Sequence, residues 1–462
     1  MSGGNSLARA GKTLPDALWL GLAAVSGAGA WALAQGAPRL VAVVVLVALA
    51  AVLAVIVNNR PEFGIVALVG AAALDVTGRV AQVAGVVMTA YQAAVLLVAA
   101  VLVWRIVEGR SSFRSTPVDL PVLIFLAFSA AAIPAAVQPM TAVVSFASLA
   151  SSVILLYLVV IAIDTPQKGA LVVWSILALV GTFGVLAIAE RLGIWSIQPF
   201  FRVWSYGIRA RVTFKDPNIF GSFLAGSLAL VLPSVLAMKR PPARLAAIGC
   251  MLAGLAGLAF TFSRGAWVGF AVGILVVLLF ARVSPIAKIA ALAAIGIAAV
   301  VFLVVFVDPV FVQTKLLDVS SNRSFLFRIY MGLSGLRMFA DHPMGIGPGN
   351  YPFVFPLYRQ AFVNAGLVES HTAYVTVLVE AGIVGFAGFM WLIFRFLTNT
   401  VRVALRAPRG PLQTLAVGSL AGAAALLTQS LTYSLEASKF LWLTLGLGIA
   451  AVSIYDASTE ED

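Results

Sequence analysis

Residues able to do chemistry are few in this chain and unevenly placed. Of its 462 residues, 61% are hydrophobic and only 10% charged. From about Asp308 to His371 the apolar sequence gives way to a polar segment rich in aromatic residues and arginine. His371 ends that segment where the next apolar run begins. A neutral imidazole at such a mouth can accept a proton from a hydroxyl; alternatively, it is a polar residue satisfying backbone groups at a helix start. His342, in Asp341-His342-Pro343 beside a glycine-rich stretch, reads as a turn residue. Arginine is the recurrent cation of this region, and its planar fork suits a diphosphate better than an ammonium does. No His, Cys or carboxylate cluster has metal-ligand spacing, so neither a metal nor a cofactor is expected. Fixed guanidinium groups can stabilise a leaving diphosphate in place of a cation.

The elements that must position these groups are membrane spans. A mean hydropathy of +1.04 and repeated apolar runs of about 17 to 25 residues predict an all-α, polytopic transmembrane bundle with one large, partly helical extracytoplasmic loop. The runs fall near 17–35, 39–58, 63–80, 84–104, 118–137, 143–163, 169–190, 216–237, 243–261, 265–282, 286–307, 372–396, 413–434 and 438–455. The run at 63–80 is interrupted by Asp75 and Arg79, which leaves 12–14 spans. Four segments follow: N-terminal spans 1–200, core spans 201–307 with outward arginine turns, the large loop 308–371, and C-terminal spans with a cytoplasmic tail, 372–462.

Lys and Arg in short loops mark the cytoplasmic side. With the N-terminus inside, Arg60, Arg105, Arg110, Arg114, Lys168, Lys239, Arg240, Arg244, Arg282, Lys288, Arg402, Arg406 and Arg409 are cytoplasmic. The same alternation puts Arg191, Arg202, Arg209, Arg211, Lys215, Arg264, Lys315, Arg323, Arg328, Arg337 and Arg359 outside. Long loops translocate regardless of charge and some of these arginines snorkel to lipid phosphates; the alternative is an outward-facing anion site. Three distant segments support the second reading by converging on one face: 191–215, the Ser263-Arg264-Gly265 turn and 308–371. The net charge of +12 therefore implies the bilayer as partner, not nucleic acid.

On a helix over 323–340, Arg323 and Arg337 share a face and Arg328 is turned away by about 140°. Arg323 and Arg328 are thus alternatives for a phosphate or glycan contact, and Arg337 is a surface charge. Phe325, Phe327, Tyr330, Tyr351, Phe353, Phe355 and Tyr358 offer a glycan surface or interfacial anchors. Glu380 lies inside a span, where it is a functional candidate, an arginine partner or a packing residue. Glu436, in the outward turn before the last span, is placed to meet the arginines.

Three motifs occur in order: Arg209-Ala-Arg211-Val-Thr-Phe-Lys-Asp-Pro-Asn218, then Thr261-Phe-Ser-Arg264-Gly-Ala, then a long third one. The third runs from Asn322-Arg323 and Arg328 through Asp341-His342-Pro343-Met-Gly345-Ile-Gly347-Pro-Gly349-Asn350-Tyr351 to His371-Thr-Ala-Tyr374 and Glu380-Ala-Gly382. Over roughly 205–390 this set resembles the O-antigen ligase and O-antigen polymerase superfamily, membrane glycosyltransferases of the C-type superfold. The first motif departs from the family pattern in having no glycine between Arg209 and Phe214, so either Arg209 or Arg211 is the family arginine. Thr372 also stands where the family often has Asn.

The resemblance implies an inverting, metal-independent transfer of a glycan from a polyprenyl (undecaprenyl) diphosphate carrier to an acceptor hydroxyl. The transfer would take place on the outer face of the cytoplasmic membrane, as in lipopolysaccharide and other cell-envelope polysaccharide synthesis. His371 is then the base, with Arg264 and Arg211 catalytic. Arg209, Arg211, Arg264, Arg323, Arg328, Glu380, Glu436 and Tyr374 are the substrate-binding candidates. A ligase acting on a lipid or other membrane acceptor is the leading reading and a polymerase the alternative. A transporter of the same lipid-linked anion is disfavoured by the scarcity of ionisable residues in the spans.

Overall fold

The computed structural model describes residues 38–74, 79–83, 86–195, 209–282, 323–360 and 369–460, with scattered positions between 284 and 296. In chain order the elements are α1 (Pro38–Asn59), α2 (Glu62–Ala73), β1 (Arg79–Val83), β2 (Val86–Thr89), α3 (Ala90–Val107), α4 (Asp119–Ala131), α5 (Pro139–Ala162), α6 (Pro166–Arg191), α7 (Pro217–Ala237) and α8 (Pro241–Phe260). They continue with α9 (Arg264–Phe280), α10 (Arg323–Asp341), α11 (Tyr351–Tyr358), α12 (Ala373–Arg406), α13 (Pro411–Gln429) and α14 (Lys439–Glu460). The protein is an all-α polytopic bundle. Among the described residues, eight helices are long and apolar enough to cross a membrane: α3, α5, α6, α7, α8, α12, α13 and α14. Shorter apolar helices at Val47–Asn59, Glu62–Ala73, Asp119–Ala135 and Arg264–Phe280 accompany them.

The runs expected at 17–35 and, for the most part, 286–307 lie outside the described residues, as do Arg202, Lys315 and Asp75. The expectation at 63–80 and 84–104 needs correction. The helix there stops at Ala73, and Arg79–Val83 pairs antiparallel with Val86–Thr89 as a hairpin. A short valine-rich run has no periodicity that separates strand from helix, so its composition alone favours a span. Thr89 then starts α3 with a capping box, its side chain accepting from the Gln92 amide while Gln92 accepts from the Thr89 amide.

Polar contacts divide the helix ends into two sets. At one end, Arg105 donates to the Asn58 carbonyl, Arg395 Nε to the Pro117 carbonyl at 3.1 Å and Arg282 to the Ala407 carbonyl at 3.0 Å. At the other, the Ala210 amide donates to the Phe260 carbonyl at 2.9 Å, Thr213 Oγ1 to the Ala73 carbonyl at 2.7 Å and the Ala373 amide to the Ser430 carbonyl at 2.9 Å. We call these the Arg105 end and the Arg264 end. Helix α7 is the buried hub, packed by α13, α9, α8 and α6. Small residues let the backbones approach: a Cβ on Gly269 of α9 would stand 2.4 Å from the Ala425 carbonyl oxygen of α13. That contact fixes the start of α9 against the end of α13, where the polar groups of the Arg264 end gather.

Helix α12 breaks at Gly382, whose φ is 70°. The glycine-rich segment 343–349 fills the break. Amides of Ile346 and Gly347 donate to the carbonyls of Val379 (3.0 Å) and Glu380 (3.1 Å), and the Ile383 amide donates to the Pro343 carbonyl at 3.0 Å. A Cβ on Gly382 would lie 2.5 Å from the Met344 carbonyl carbon, so only glycine permits both the backbone angle and the close approach.

Candidate functional site

Three segments distant in sequence meet around a cavity of about 450 Å³ at the Arg264 end. Its walls include Arg209 and Asn218 from the start of α7, Phe262, Ser263 and Arg264 from the α8–α9 turn, Arg328 from α10, and Gln429, Thr432 and Tyr433 after α13. Arg209 ties the segments together, with Nε donating to the Thr261 carbonyl at 2.8 Å and Nη2 to Asn218 Oδ1 at 3.0 Å. The Asn218 carbonyl in turn accepts from Gln429 Nε2 at 3.0 Å. Gln429 is 1% exposed, and its Oε1 is sealed without a hydrogen-bond partner. The cavity thus combines guanidinium donors with amide and hydroxyl groups, a lining suited to an anion that also carries hydroxyls.

Each motif contains one non-glycine residue in the left-handed region: Val212 (φ 53°), Phe262 (φ 48°) and His371 (φ 57°). Among the described residues there are no others. Such a conformation costs on the order of 1–3 kcal/mol and persists only where its surroundings impose it. For Val212 the constraint is Glu190, whose Oε2 accepts from the amides of Arg211 (3.0 Å) and Val212 (2.8 Å). This turn separates the two arginines that the sequence left as alternatives. Arg209 lines the cavity, whereas Arg211 is 2% exposed and is not part of its lining. Around Phe262, Thr261 Oγ1 accepts from the Ser263 amide at 3.2 Å and turns the chain so that Arg264 opens α9 at the cavity wall. Beside His371, Ser370 Oγ donates to the Thr372 carbonyl at 2.8 Å and accepts from the Thr372 amide at 3.2 Å. Thr376 links the same hydroxyl cluster to Ser434 at 3.1 Å.

The His371 ring lies 6.1 Å from the Tyr433 ring and 6.3 Å from the Phe327 ring, centroid to centroid. Tyr433 lines the cavity, and His371, beside it, is not itself part of the lining. Its Nδ1 is sealed and has no hydrogen-bond partner. Burial, followed by the Arg328 charge, pushes its pKa below the ordinary value; Asp216 acts weakly the other way. The ring is therefore neutral at neutral pH. Arg328 itself is pushed down by burial and then by the charges of Arg264 and Arg209, a direct sign that guanidinium groups crowd here.

Residues 249–390 match the family model described as O-Antigen ligase. Over that stretch the chain is similar to the O-antigen ligase family. No curated protein sequence matches it significantly. The ligase-family stretch begins within α8, ends within α12, and contains Arg264, Arg328, His371 and Glu380. The remaining walls of the cavity, Arg209, Asn218, Gln429, Thr432 and Tyr433, lie on either side of it in sequence. The protein is accordingly a polytopic helical bundle whose middle stretch is similar to the O-antigen ligase family.

Several candidates are not brought to this cavity. Glu380 holds the glycine-rich segment, Oε2 accepting from the Gly349 amide at 2.7 Å and Oε1 from the Tyr351 amide at 3.0 Å. Its carboxylate is committed to backbone groups, so it is not in place to touch substrate. Glu436 does not meet the arginines. Burial, then the neighbouring Glu380 and Glu369 carboxylates, push its pKa up to about 8, and Oε2 is sealed without a hydrogen-bond partner. Tyr374 faces α13, its hydroxyl donating to the Leu427 carbonyl at 3.0 Å. The side chain of Arg323 lies outside the described residues. Arg337 is exposed, as a surface charge should be.

The aromatic residues of α10 and α11 divide. Tyr351 and Phe355 are core residues, with Tyr351 donating its hydroxyl to the Met331 carbonyl at 2.5 Å, and so offer no glycan surface. Phe327, Tyr330 and Tyr358 remain partly exposed. His342 sits in the turn before the glycines, its carbonyl accepting from the Gly345 amide at 3.0 Å. The residues that sequence reasoning missed are Glu190, Gln429, Thr432 and Tyr433. In the sequence Glu190 reads as the end of a span. Gln429-Ser430-Leu431-Thr432-Tyr433 was absorbed into the run 413–434, although its polar content is signal enough that the helix stops at Gln429.

Proposed function

We propose that the protein transfers a glycan from a polyprenyl diphosphate carrier to an acceptor hydroxyl, without a metal and with inversion at the anomeric carbon. One observation carries this reading: Arg209, Arg264 and Arg328, supplied by three distant segments, line one cavity at one end of the bundle. The leaving group of such a donor is a diphosphate, and preformed guanidinium donors stabilise the charge that develops on it. In the step, the acceptor oxygen bonds to the anomeric carbon as the bond from that carbon to the diphosphate oxygen breaks. The electron pair leaves on the diphosphate, and the hydroxyl proton passes to the neutral imidazole of His371.

The lowered pKa of His371 supports its role as base, because a ring held neutral is ready to accept. As the imidazole gains its proton, the departing diphosphate beside the arginines gains negative charge. The Arg264 end is the outer face of the cytoplasmic membrane in this reading, which follows from the basic loops at the other end. The donor's polyprenyl chain stays among the apolar helices. Arg211 acts by shaping the turn that presents Arg209, not by touching substrate.

A ligase is the leading form, with a polymerase as the alternative within the same chemistry. Purified protein supplied with carrier-linked oligosaccharide alone separates them. A ligase leaves the oligosaccharide unextended until a second acceptor is added, whereas a polymerase lengthens it. Failure to move glycan under either condition, with the donor bound, would overturn the enzymatic reading.

A further inference from the structure

At the Arg105 end, on the opposite side of the bundle from the arginine cavity, lies a second, smaller cavity of about 220 Å³. It opens between the α3–α4 loop, the end of α5 and the last turns of α14. That volume holds about seven waters at about 30 Å³ each, enough for a phosphate group with part of its ester. Its polar wall is Arg110, Ser111, Ser112 and Arg114, in a loop that leaves α3 through Gly109. Its apolar wall is formed by Val160, Ile163 and Ile454.

The hydrogen-bond inventory of the loop points to an anion. Arg105 anchors it, Nε donating to Ser111 Oγ at 3.1 Å. Ser111 is therefore the acceptor in that bond, and its own hydroxyl proton remains to be donated. Arg110 is held in place by Asn58 Oδ1 at 2.7 Å and by an ion pair with Glu108, and still forms part of the wall. Among the described residues Arg114 makes no hydrogen bond or ion pair, so its charge is unneutralised. The one carboxylate on the cavity wall, Asp164, is paired with Lys168 at 2.7 Å. Beside the cavity Trp104, Val107 and Phe113 are exposed, and Phe113 stacks on Tyr157 at 6.2 Å. An apolar flank next to a donor-rich cavity at a helix end has the amphipathic layout of a lipid headgroup with its acyl chains.

We propose that this cavity binds a phosphate-bearing anion, presented by an anionic phospholipid of the leaflet at the Arg105 end. Arg114 and the two serine hydroxyls hold the phosphate, Arg110 fixes the loop that carries them, and the acyl chains lie along Trp104 and Phe113. The site is separate from the donor cavity, and its test does not depend on the glycosyltransferase reading.

The experiment compares the full-length protein with R114Q, S112A and the double variant. Each is purified in a neutral detergent and titrated with phosphatidylglycerol, phosphatidylcholine or inorganic phosphate. Thermal midpoint and native mass spectrometry of retained lipid are the readouts. Phosphatidylglycerol should bind the wild type saturably and phosphatidylcholine should not. R114Q should weaken that binding about tenfold, as expected for one charge-assisted contact. R244Q, which removes an exposed charge elsewhere at the same end, should leave it within about twofold. Equal weakening by R244Q and R114Q, or no change in R114Q, would overturn the site. Inorganic phosphate binding as tightly as phosphatidylglycerol, and competing with it, would overturn the lipid as its source.

Discussion

The two ends of the bundle treat positive charge in opposite ways. At the Arg105 end several cations are paired with near carboxylates: the four described ion pairs, Arg60–Glu62, Arg110–Glu108, Lys168–Asp164 and Arg402–Asp456, all lie there, and Arg114 is an exception. At the Arg264 end two buried carboxylates are spent on the backbone. Glu190 holds the amides of Arg211 and Val212, and Glu380 holds those of Gly349 and Tyr351. Arg264 and Arg209 stand close enough to add to burial in lowering the pKa of Arg328. Among the described residues the non-glycine left-handed backbone is confined to the same end, at Val212, Phe262 and His371. Like charges held together on strained turns cost stability, and a fold keeps such an arrangement where an anion repays it. The contrast teaches that counting basic residues is uninformative here; what their nearest carboxylates are doing separates topology from chemistry.

The comparison breaks first at the base. H371A should lower glycan transfer by about 100- to 10,000-fold, the range for loss of a general base, while donor binding is retained. R264A or R209A should lower transfer about 100- to 1,000-fold, as for loss of one preorganised donor to a developing anion. R402A, at the neutralised end, should leave transfer within about twofold; an equal loss there would erase the distinction between the ends. E190A, which releases the turn under Val212, should cost transfer about tenfold, the scale of one charge-assisted hydrogen bond. E190Q should cost less, because its amide oxygen still accepts. A finer test is the pH profile of kcat/KM. With the His371 pKa below its ordinary 6.5, the acid limb should fall at a pH under 6.5. R328Q removes the second cause of the shift and should move that limb upward. Protonating His371 also favours the unfolded chain, so stability should be lost as pH falls below 6.5.

Much of this was legible in the sequence because bilayer physics is coarse. Apolar run length and the placement of Lys and Arg were enough to predict the alternation of helix ends and the convergence of three arginine-bearing segments. The choice between Arg209 and Arg211 was not legible. It depends on a left-handed valine imposed by a glutamate more than twenty residues earlier, which no local propensity reveals. Which of the roles open to Glu380 applies was not legible for a similar reason: only the break at Gly382 shows that its carboxylate holds a neighbouring loop. Glu436 sits in the expected turn, but which side of the turn its carboxylate takes depends on packing. The hairpin after α2 was hidden because a short run of valines suits strand and helix alike.

The central claim is that the cavity of Arg209, Arg264 and Arg328 recognises the diphosphate of the donor. Its most direct test is the affinity of polyprenyl diphosphate for the purified protein in nanodiscs, measured for the wild type, R209A, R264A, R328A and H371A. Each arginine replacement should weaken binding about tenfold or more, and H371A should leave it within about twofold. Unchanged affinity in all three arginine variants, or a loss in H371A as large as theirs, would contradict the account.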